Sequence, residues 1–489
     1  MRMKYHRILL FVIALMATLC VNAQVERPKL IVGLVVDQMR WDYLYTYQWG
    51  EGGFKTLLSD GYLCNNTIID YVPTVTAIGH ASIFSGTTPA FHGIAGNNFM
   101  LNGKNVTSVQ DDNERAVGGN EKTRGKSPRN LITTNIADEL YLATDFKSRT
   151  VGIALKDRAS ILPSGHHPIG AYWFDSGSKS FVSSTYYMDK LPRWVADFNK
   201  RHRDEMATDV NNLPTGTTLT FALAEQAIIN EGLGQGEATD MLTLSVSNTD
   251  MCAHNYGSHS PEVDAIYHQL DKELAHFIQL LDERIGRGNY LLFLTADHGG
   301  THSYPRMNSH GLPSGCLSNT AAVNTANVEL EKQFGVSKLI KQSMGYTYYI
   351  NKEAIDSANL DLGKVSRAAC NELMKSDEIE WAVDVINIDS YPVPTILKER
   401  IKLGYFPGRS GEIYVVPRTG FYSGNTEHAG SNHGTWSQSD SHIPLIFMGW
   451  HITPGETSRL THMTDIAATV CAMLHIQAPD GCIGTPIFE

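Results

Sequence analysis

Five short apolar runs, each followed by polar residues, restrict this chain more than any other feature. They read LIVGLVV at 30–36, RTVGIAL at 149–155, MLTLSVS at 241–247, YLLFLTA at 290–296 and IPLIFMG at 443–449. Runs of this length, rich in β-branched residues, suit strands of a parallel sheet covered on both faces. Helical periodicity lies between them. Residues 261–285 repeat apolar positions at helical spacing, and residues 463–476 place Ile466, Val470, Met473 and Leu474 on one face. Strands alternating with helices predict a doubly wound α/β fold, a mostly parallel sheet with helices on both faces.

The polar residues that follow the strands carry the chemistry. Asp37 ends the first run, Lys156 and Arg158 the second; Asp250 follows the third, and Asp297 and His298 end the fourth. Ligands of open α/β sheets bind beyond the carboxyl ends of the strands, so these remote segments are expected to meet at one sheet edge. Lys156 and Arg158, two apart on a strand end, are expected on one face, with Asp157 turned away from them. Two stretches break the rhythm, at about 170–235 and about 320–420. Both read as insertions capping the active-site edge of a single catalytic domain, 24–489. Tyr172, Trp173 and Phe174 read as core or pocket wall.

The first residues have the layout of a secretory signal peptide: positive MRMKYHR, an apolar stretch, then small residues before a cut after Ala23. The apolar stretch is short for a membrane span, and no later segment looks transmembrane. Cys20 raises lipidation, but Leu19 before it makes a poor attachment site. The mature protein is therefore expected in the periplasm or outside the cell. Its cysteines, Cys64, Cys252, Cys316, Cys370, Cys471 and Cys482, permit disulfides there, with no pairing legible. A net charge of −11 argues against a nucleic-acid partner.

Asp37, Asp250, His254, Asp297, His298 and His433 form a metal-ligand vocabulary. Asp250 and His254 are one helical turn apart, and His433 sits in a Gly/Asn loop that lets backbone approach a ligand. Carboxylates mixed with imidazoles suit zinc. Six ligands are too many for one tetrahedral ion and suit two catalytic ions with open positions. Each piece alone has a plainer reading: Asp37 as a helix cap, Lys156 and Arg158 as solvated cations, Thr74 or Thr76 in DYVPTVTAIGH as a helix cap. A hydroxyl at a helix N-terminus is also well placed to become an alkoxide beside a metal ion.

The ordered set VVDQ, PTVTAIGH, SGTTPAFHGIAGN, LKDR, SNTDMCAH, TADHG, NHG and TDIAATV resembles the alkaline phosphatase superfamily, and more closely its PafA-type phosphate-irrepressible periplasmic alkaline phosphatases. The resemblance runs along nearly the whole mature chain. It implies Thr76 as nucleophile and not Thr74. It implies Asp37, Asp297 and His298 as ligands of the zinc that also holds the Thr76 oxygen, and Asp250, His254 and His433 as ligands of a second zinc. Asn97, rather than Asn98, matches the asparagine on a phosphoryl oxygen; Lys156 and Arg158 match the phosphate-contacting pair of the monoesterase branch. His80, His92 and His428 read as structural. Ile78 departs from the proline often found there, just inside the helix.

The expected activity is hydrolysis of phosphate monoesters through a phospho-threonine at Thr76, by a monomer holding two Zn2+ ions. A nucleotide pyrophosphatase or phosphodiesterase on the same scaffold is the alternative; the two cations favour a monoester dianion over it. A sulfatase lacks its Cys-x-Pro-x-Arg motif here. A non-catalytic metal or carbohydrate binder is disfavoured because every chemical position is filled.

Overall fold

The structure, a computed structural model, describes residues 26–50, 52–424 and 430–488; the signal segment with Cys20, and His428, lie outside them. Eleven strands make the central sheet: β1 (Leu30–Val36), β2 (Gly61–Cys64), β3 (Gln110–Val117), β4 (Arg124–Lys126), β5 (Thr150–Ala154), β6 (Gly170–Asp175), β7 (Ser180–Ser184), β8 (Asp240–Val246), β9 (Tyr290–Thr295), β10 (Leu445–Gly449) and β11 (Gly455–Thr457). Their order is β11-β2-β10-β9-β1-β8-β5-β6-β7-β3-β4. The middle five, β9-β1-β8-β5-β6, run parallel. Every residue of β1, β5, β8 and β9 is buried, as mostly apolar strands require when helices cover both faces. The doubly wound α/β expectation thus holds for the centre of the sheet.

The fifth apolar run behaves differently. β10 lies antiparallel to both β9 and β2. Residues 170–184 also differ from a cap on the active-site edge: β6 pairs with β5 in parallel and β7 returns antiparallel, so this part of the stretch widens the sheet. Tyr172, Trp173 and Phe174 accordingly lie in the main core.

Helices α1 (Thr76–Ser85), α2 (Thr215–Glu231), α3 (Asn248–Tyr256), α4 (Pro261–Arg284) and α5 (Asp465–Met473) matter most for the site. All of α1 is buried. Its Gly79 permits this, because a Cβ there would stand 2.1 Å from the Asp297 carbonyl oxygen. α1 therefore abuts the end of β9.

Residues 340–417 build a separate four-stranded antiparallel sheet, ordered Ile340–Met344, Thr347–Ile350, Ile413–Pro417, Ile379–Asp384. It has its own core, around Leu330, Tyr348, Val365 and Ile413. A junction cluster including Val72, Tyr346, Val383 and Leu397 sets it against the segment preceding α1.

Candidate active site

Four adjacent strands, β9-β1-β8-β5, deliver the polar residues the sequence placed at their ends. Asp37 follows β1, Lys156 follows β5, Asp250 lies in α3 after β8, and Asp297 and His298 follow β9. Thr76 is the first residue of α1, after an extended Val75 at the cap position. Thr74 does not cap the helix. Its hydroxyl donates to the Thr435 carbonyl (3.0 Å) and accepts from Gly434 N–H (3.1 Å), tying the loop that carries His433 to α1.

The three histidines share one arrangement. The Nδ1 of His254 lies 3.0 Å from the Ser431 carbonyl, that of His298 2.8 Å from the Gly299 carbonyl, and that of His433 2.7 Å from the Thr74 carbonyl. Each Nδ1 therefore carries the proton, and each Nε2 presents a lone pair inward. That lone pair meets further acceptors. His298 Nε2 is 3.5 Å from Asp297 Oδ2 and 3.6 Å from Asp37 Oδ1. His254 and His433 Nε2 lie 3.2 and 3.5 Å from Asp250 Oδ1. Ligand atoms of Asp250, His254 and His433 form one group within 4.8 Å, and those of Asp37, Asp250 and His298 another. The rings of His298 and His433 stack at 3.7 Å, so the two groups touch.

Bringing acceptors together in a buried place costs energy unless a cation lies between them. Asp37 Oδ1 and His298 Nε2 are buried without a hydrogen-bond partner among the described residues, and Asp297 Oδ2 has His80 Nδ1 3.2 Å away. The donor set of imidazole nitrogens and carboxylate oxygens thus fits divalent metal ions. Lys156 answers part of the demand. Its Nζ donates to Asp37 Oδ2 (2.6 Å), Asp250 Oδ2 (2.5 Å) and Thr76 Oγ1 (3.3 Å).

Charge regulation follows this crowding. Burial, then the neighbouring Asp297 charge, push the Asp37 carboxyl well above the usual range. Burial also acts to raise Asp250, but His254 and Lys156 outweigh it and hold Asp250 well below. Asp297 is likewise lowered, by His298 and His80 against burial. Burial opposes the charge of Lys156, yet Asp250 and Asp37 raise its pKa. Burial depresses His298 and, with His298 alongside, His433, which keeps both lone pairs available. His254 moves up, because Asp250 overcomes burial.

Asn97 accepts from the Ala77 N–H of α1 through Oδ1 (2.9 Å), which leaves its Nδ2 to donate elsewhere. Arg158 makes no hydrogen bond to Thr76 or to the three carboxylates, although its charge acts on Lys156. Two expectations about this segment need correction. The chain turns helical at Asp157, with Lys156 extended and Arg158 in the first turn, so strand alternation stops before Arg158. Asp157 does not turn away either. Its carboxylate accepts from Arg158 N–H (2.7 Å), lies 3.7 Å from the Arg158 guanidinium and binds Lys126 Nζ at 2.9 Å.

Other site residues escaped the sequence reading. Gln38, at φ +60°, donates Nε2–H to Asp250 Oδ1 (2.7 Å) and its backbone N–H to Asp297 Oδ1 (3.1 Å). Such a backbone is uncommon for glutamine and marks a position held by its surroundings. Lys126 lies in β4, remote in sequence, and RGK reads as ordinary surface. Of the histidines read as structural, His80 has Nδ1 2.9 Å from the Thr76 carbonyl and 3.2 Å from Asp297 Oδ2 and Nε2 2.9 Å from Ser245 Oγ, so it also touches the site; His92 lies between Ser82 Oγ and Ile94 N–H.

The chain belongs to the type I phosphodiesterase/nucleotide pyrophosphatase family, whose model matches residues 31–440. That family lies within the alkaline phosphatase superfamily. Alkaline phosphatase PafA of Elizabethkingia meningoseptica is 41% identical, covering 95% of this chain and 95% of its own. A Myroides odoratus protein named calcium-transporting ATPase is also 41% identical, over 96% and 95% of the two chains. The crystal structure of wild-type PafA superposes with a TM-score of 0.90 at 40% identity, over 95% of this chain and 99% of that one. A PafA variant altered at a threonine, an asparagine, a lysine and an arginine matches equally well. Within the family, this chain groups with the PafA-type alkaline phosphatases.

Proposed function

We propose that this chain is an exported phosphomonoesterase of the PafA type that transfers the phosphoryl group to Thr76 and then to water. The observation carrying this reading is the convergence on Thr76. Its Oγ1 stands at a helix N-terminus, in hydrogen-bond reach of a buried ammonium, beside inward-facing imidazole and carboxylate donors. Thr76, Asn97, Lys156 and Arg158 repeat, in order, the residue types altered together in the PafA variant. Asp37, Asp297 and His298, with the Thr76 oxygen, would hold one zinc ion, and Asp250, His254 and His433 a second. Bound there, such ions supply Lewis-acid charge that stabilises the threonine alkoxide and the departing alcohol oxygen.

The residues of the chain do the remaining work. The Thr76 hydroxyl gives up its proton to solvent and its oxygen forms a bond to phosphorus as the bond from phosphorus to the alcohol oxygen breaks, and the alcohol leaves with a proton from solvent. Water then displaces the Thr76 oxygen, giving inorganic phosphate. Asn97 Nδ2, Lys156 Nζ and the Arg158 guanidinium donate to the non-bridging oxygens. A monoester dianion repays two cations better than a diester monoanion does.

The phosphodiesterase named in the family description remains the second reading, on that description alone. Among the described residues no helix is long and apolar enough to cross a membrane. Initial rates on p-nitrophenyl phosphate and bis-p-nitrophenyl phosphate decide between the enzymes. The expected result is a kcat/KM at least about a hundredfold higher for the monoester, the worth of two charge-assisted contacts. A preference for the bis-ester overturns the assignment.

A further inference from the structure

A cavity of about 460 Å³ opens beside the site. Its lining includes Asn97, His254 and His433 but none of Thr76, Asp37, Asp297 and His298. In an in-line displacement the departing oxygen lies opposite the attacking one. The cavity reaches Asn97, assigned above to a phosphoryl oxygen, and the His254 and His433 side chains, so it is open space that can receive the rest of the alcohol. The volume falls in the range of pockets that enclose a small organic molecule and exceeds what a phosphoryl group alone fills.

The chemistry of the walls narrows the alcohol further. Asn98 and Asn105 come from the hairpin at 98–107, and Ser343 from the first strand of the small sheet. No Asp, Glu, Lys or Arg lines the cavity among the described residues. The side chains of Asn98, Asn105 and Ser343 have no hydrogen-bond partner among those residues. Amide and hydroxyl groups left open in this way match the donors and acceptors of an uncharged, multiply hydroxylated molecule. An anionic leaving group finds no Lys or Arg on these walls, and a purely apolar one gains no hydrogen bond from them. The walls are also held in place. Gln342 Nε2 lies 3.0 Å from Met100 Sδ, joining the small sheet to the hairpin. Tyr346 Oη donates to the His433 carbonyl (3.3 Å) and accepts from Ser423 N–H (2.9 Å).

We propose that this cavity is a leaving-group subsite selecting sugar-like alcohols, with Asn105 and Ser343 as specificity residues. The proposal rests on the phosphomonoesterase reading. Its test compares kcat/KM on glucose 6-phosphate and on ethyl phosphate, both primary alkyl monoesters, in the metal-loaded enzyme. The wild type should prefer the sugar ester by at least about tenfold, the effect of one or two uncharged hydrogen bonds. Asn105→Leu combined with Ser343→Ala should remove that preference and leave ethyl phosphate within about twofold of wild type. Both positions reach solvent, so the fold does not depend on them. Equal wild-type rates on the two esters, a preference that survives the double substitution, or a parallel fall on both overturns the subsite alone. Failure of the wild type to hydrolyse either ester overturns the phosphatase reading and the subsite with it.

Discussion

Thr76 and Lys156 concentrate the residue-scale argument. Removing the Thr76 hydroxyl should lower turnover of p-nitrophenyl phosphate by about a thousandfold or more, as loss of a nucleophile does. Zinc content measured by mass spectrometry should stay near that of wild type, since six other donors remain. Persistent turnover would place the nucleophile elsewhere. A second prediction concerns a residue that contacts no ligand. Asp157, bound by Lys126, orients the Arg158 backbone and guanidinium. Asp157→Asn should reduce monoester kcat/KM about tenfold but diester kcat/KM much less, because the diester carries less charge for Arg158 to meet. Equal losses on both esters would make the role purely structural. These two cases also mark what a single sequence reveals. Asp37, Asp250, Asp297 and His298 were legible because each follows an apolar run whose end is fixed by burial. Gln38, Lys126 and the orientation of Asp157 were not. Gln38 depends on a left-handed backbone that a glutamine does not advertise, and Lys126 on an ion pair between β4 and the helix that begins at the distant Asp157.

Among the elements, α1 is the most constrained. It presents Thr76 only because Gly79 lets it lie against the Asp297 carbonyl. Gly79→Ala should cost about 1–3 kcal/mol of stability by overpacking, and should weaken zinc binding as Asp297 is displaced. Thermal unfolding and a competitive chelator titration measure the two effects; unchanged values for both would mean that α1 and β9 are not in such close contact. The strands teach a related lesson. Mostly apolar runs announced β1, β5, β8, β9 and β10 because both sheet faces are covered. Direction and partner carry no such signal, so the antiparallel setting of β10 and the membership of β6 and β7 in the sheet needed the tertiary structure. The small sheet at 340–417 has its own core, which its sequence alone did not separate from an insertion capping the active-site edge.

For the whole molecule, the ligand cluster couples metal to folding. Buried acceptors without partners destabilise the metal-free chain, so chelation should lower the melting temperature as well as abolish activity, and zinc should restore both. A melting temperature indifferent to chelation would contradict the coupling. A second global property comes from His166, whose Nδ1 lies 2.8 Å from Asp138. Burial lowers its pKa, but Asp138 outweighs burial and raises it above the usual 6.5. A raised histidine pKa stabilises the fold fully below the unfolded value and ceases to do so as pH climbs through the folded value. The His166→Asn substitution should therefore destabilise more at pH 6 than at pH 9, measured by denaturant unfolding of zinc-loaded protein. Equal losses at the two pH values would mean that His166 is uncharged in the fold.

The central claim is that remote strand ends gather paired cations around the Thr76 hydroxyl, and anomalous diffraction at the zinc edge tests it most directly. Crystals of the zinc-loaded protein should show one peak among Asp37, Asp297, His298 and Thr76 and a second among Asp250, His254 and His433. Zinc bound only elsewhere on the molecule, or at neither cluster in protein that still hydrolyses monoesters, would contradict it.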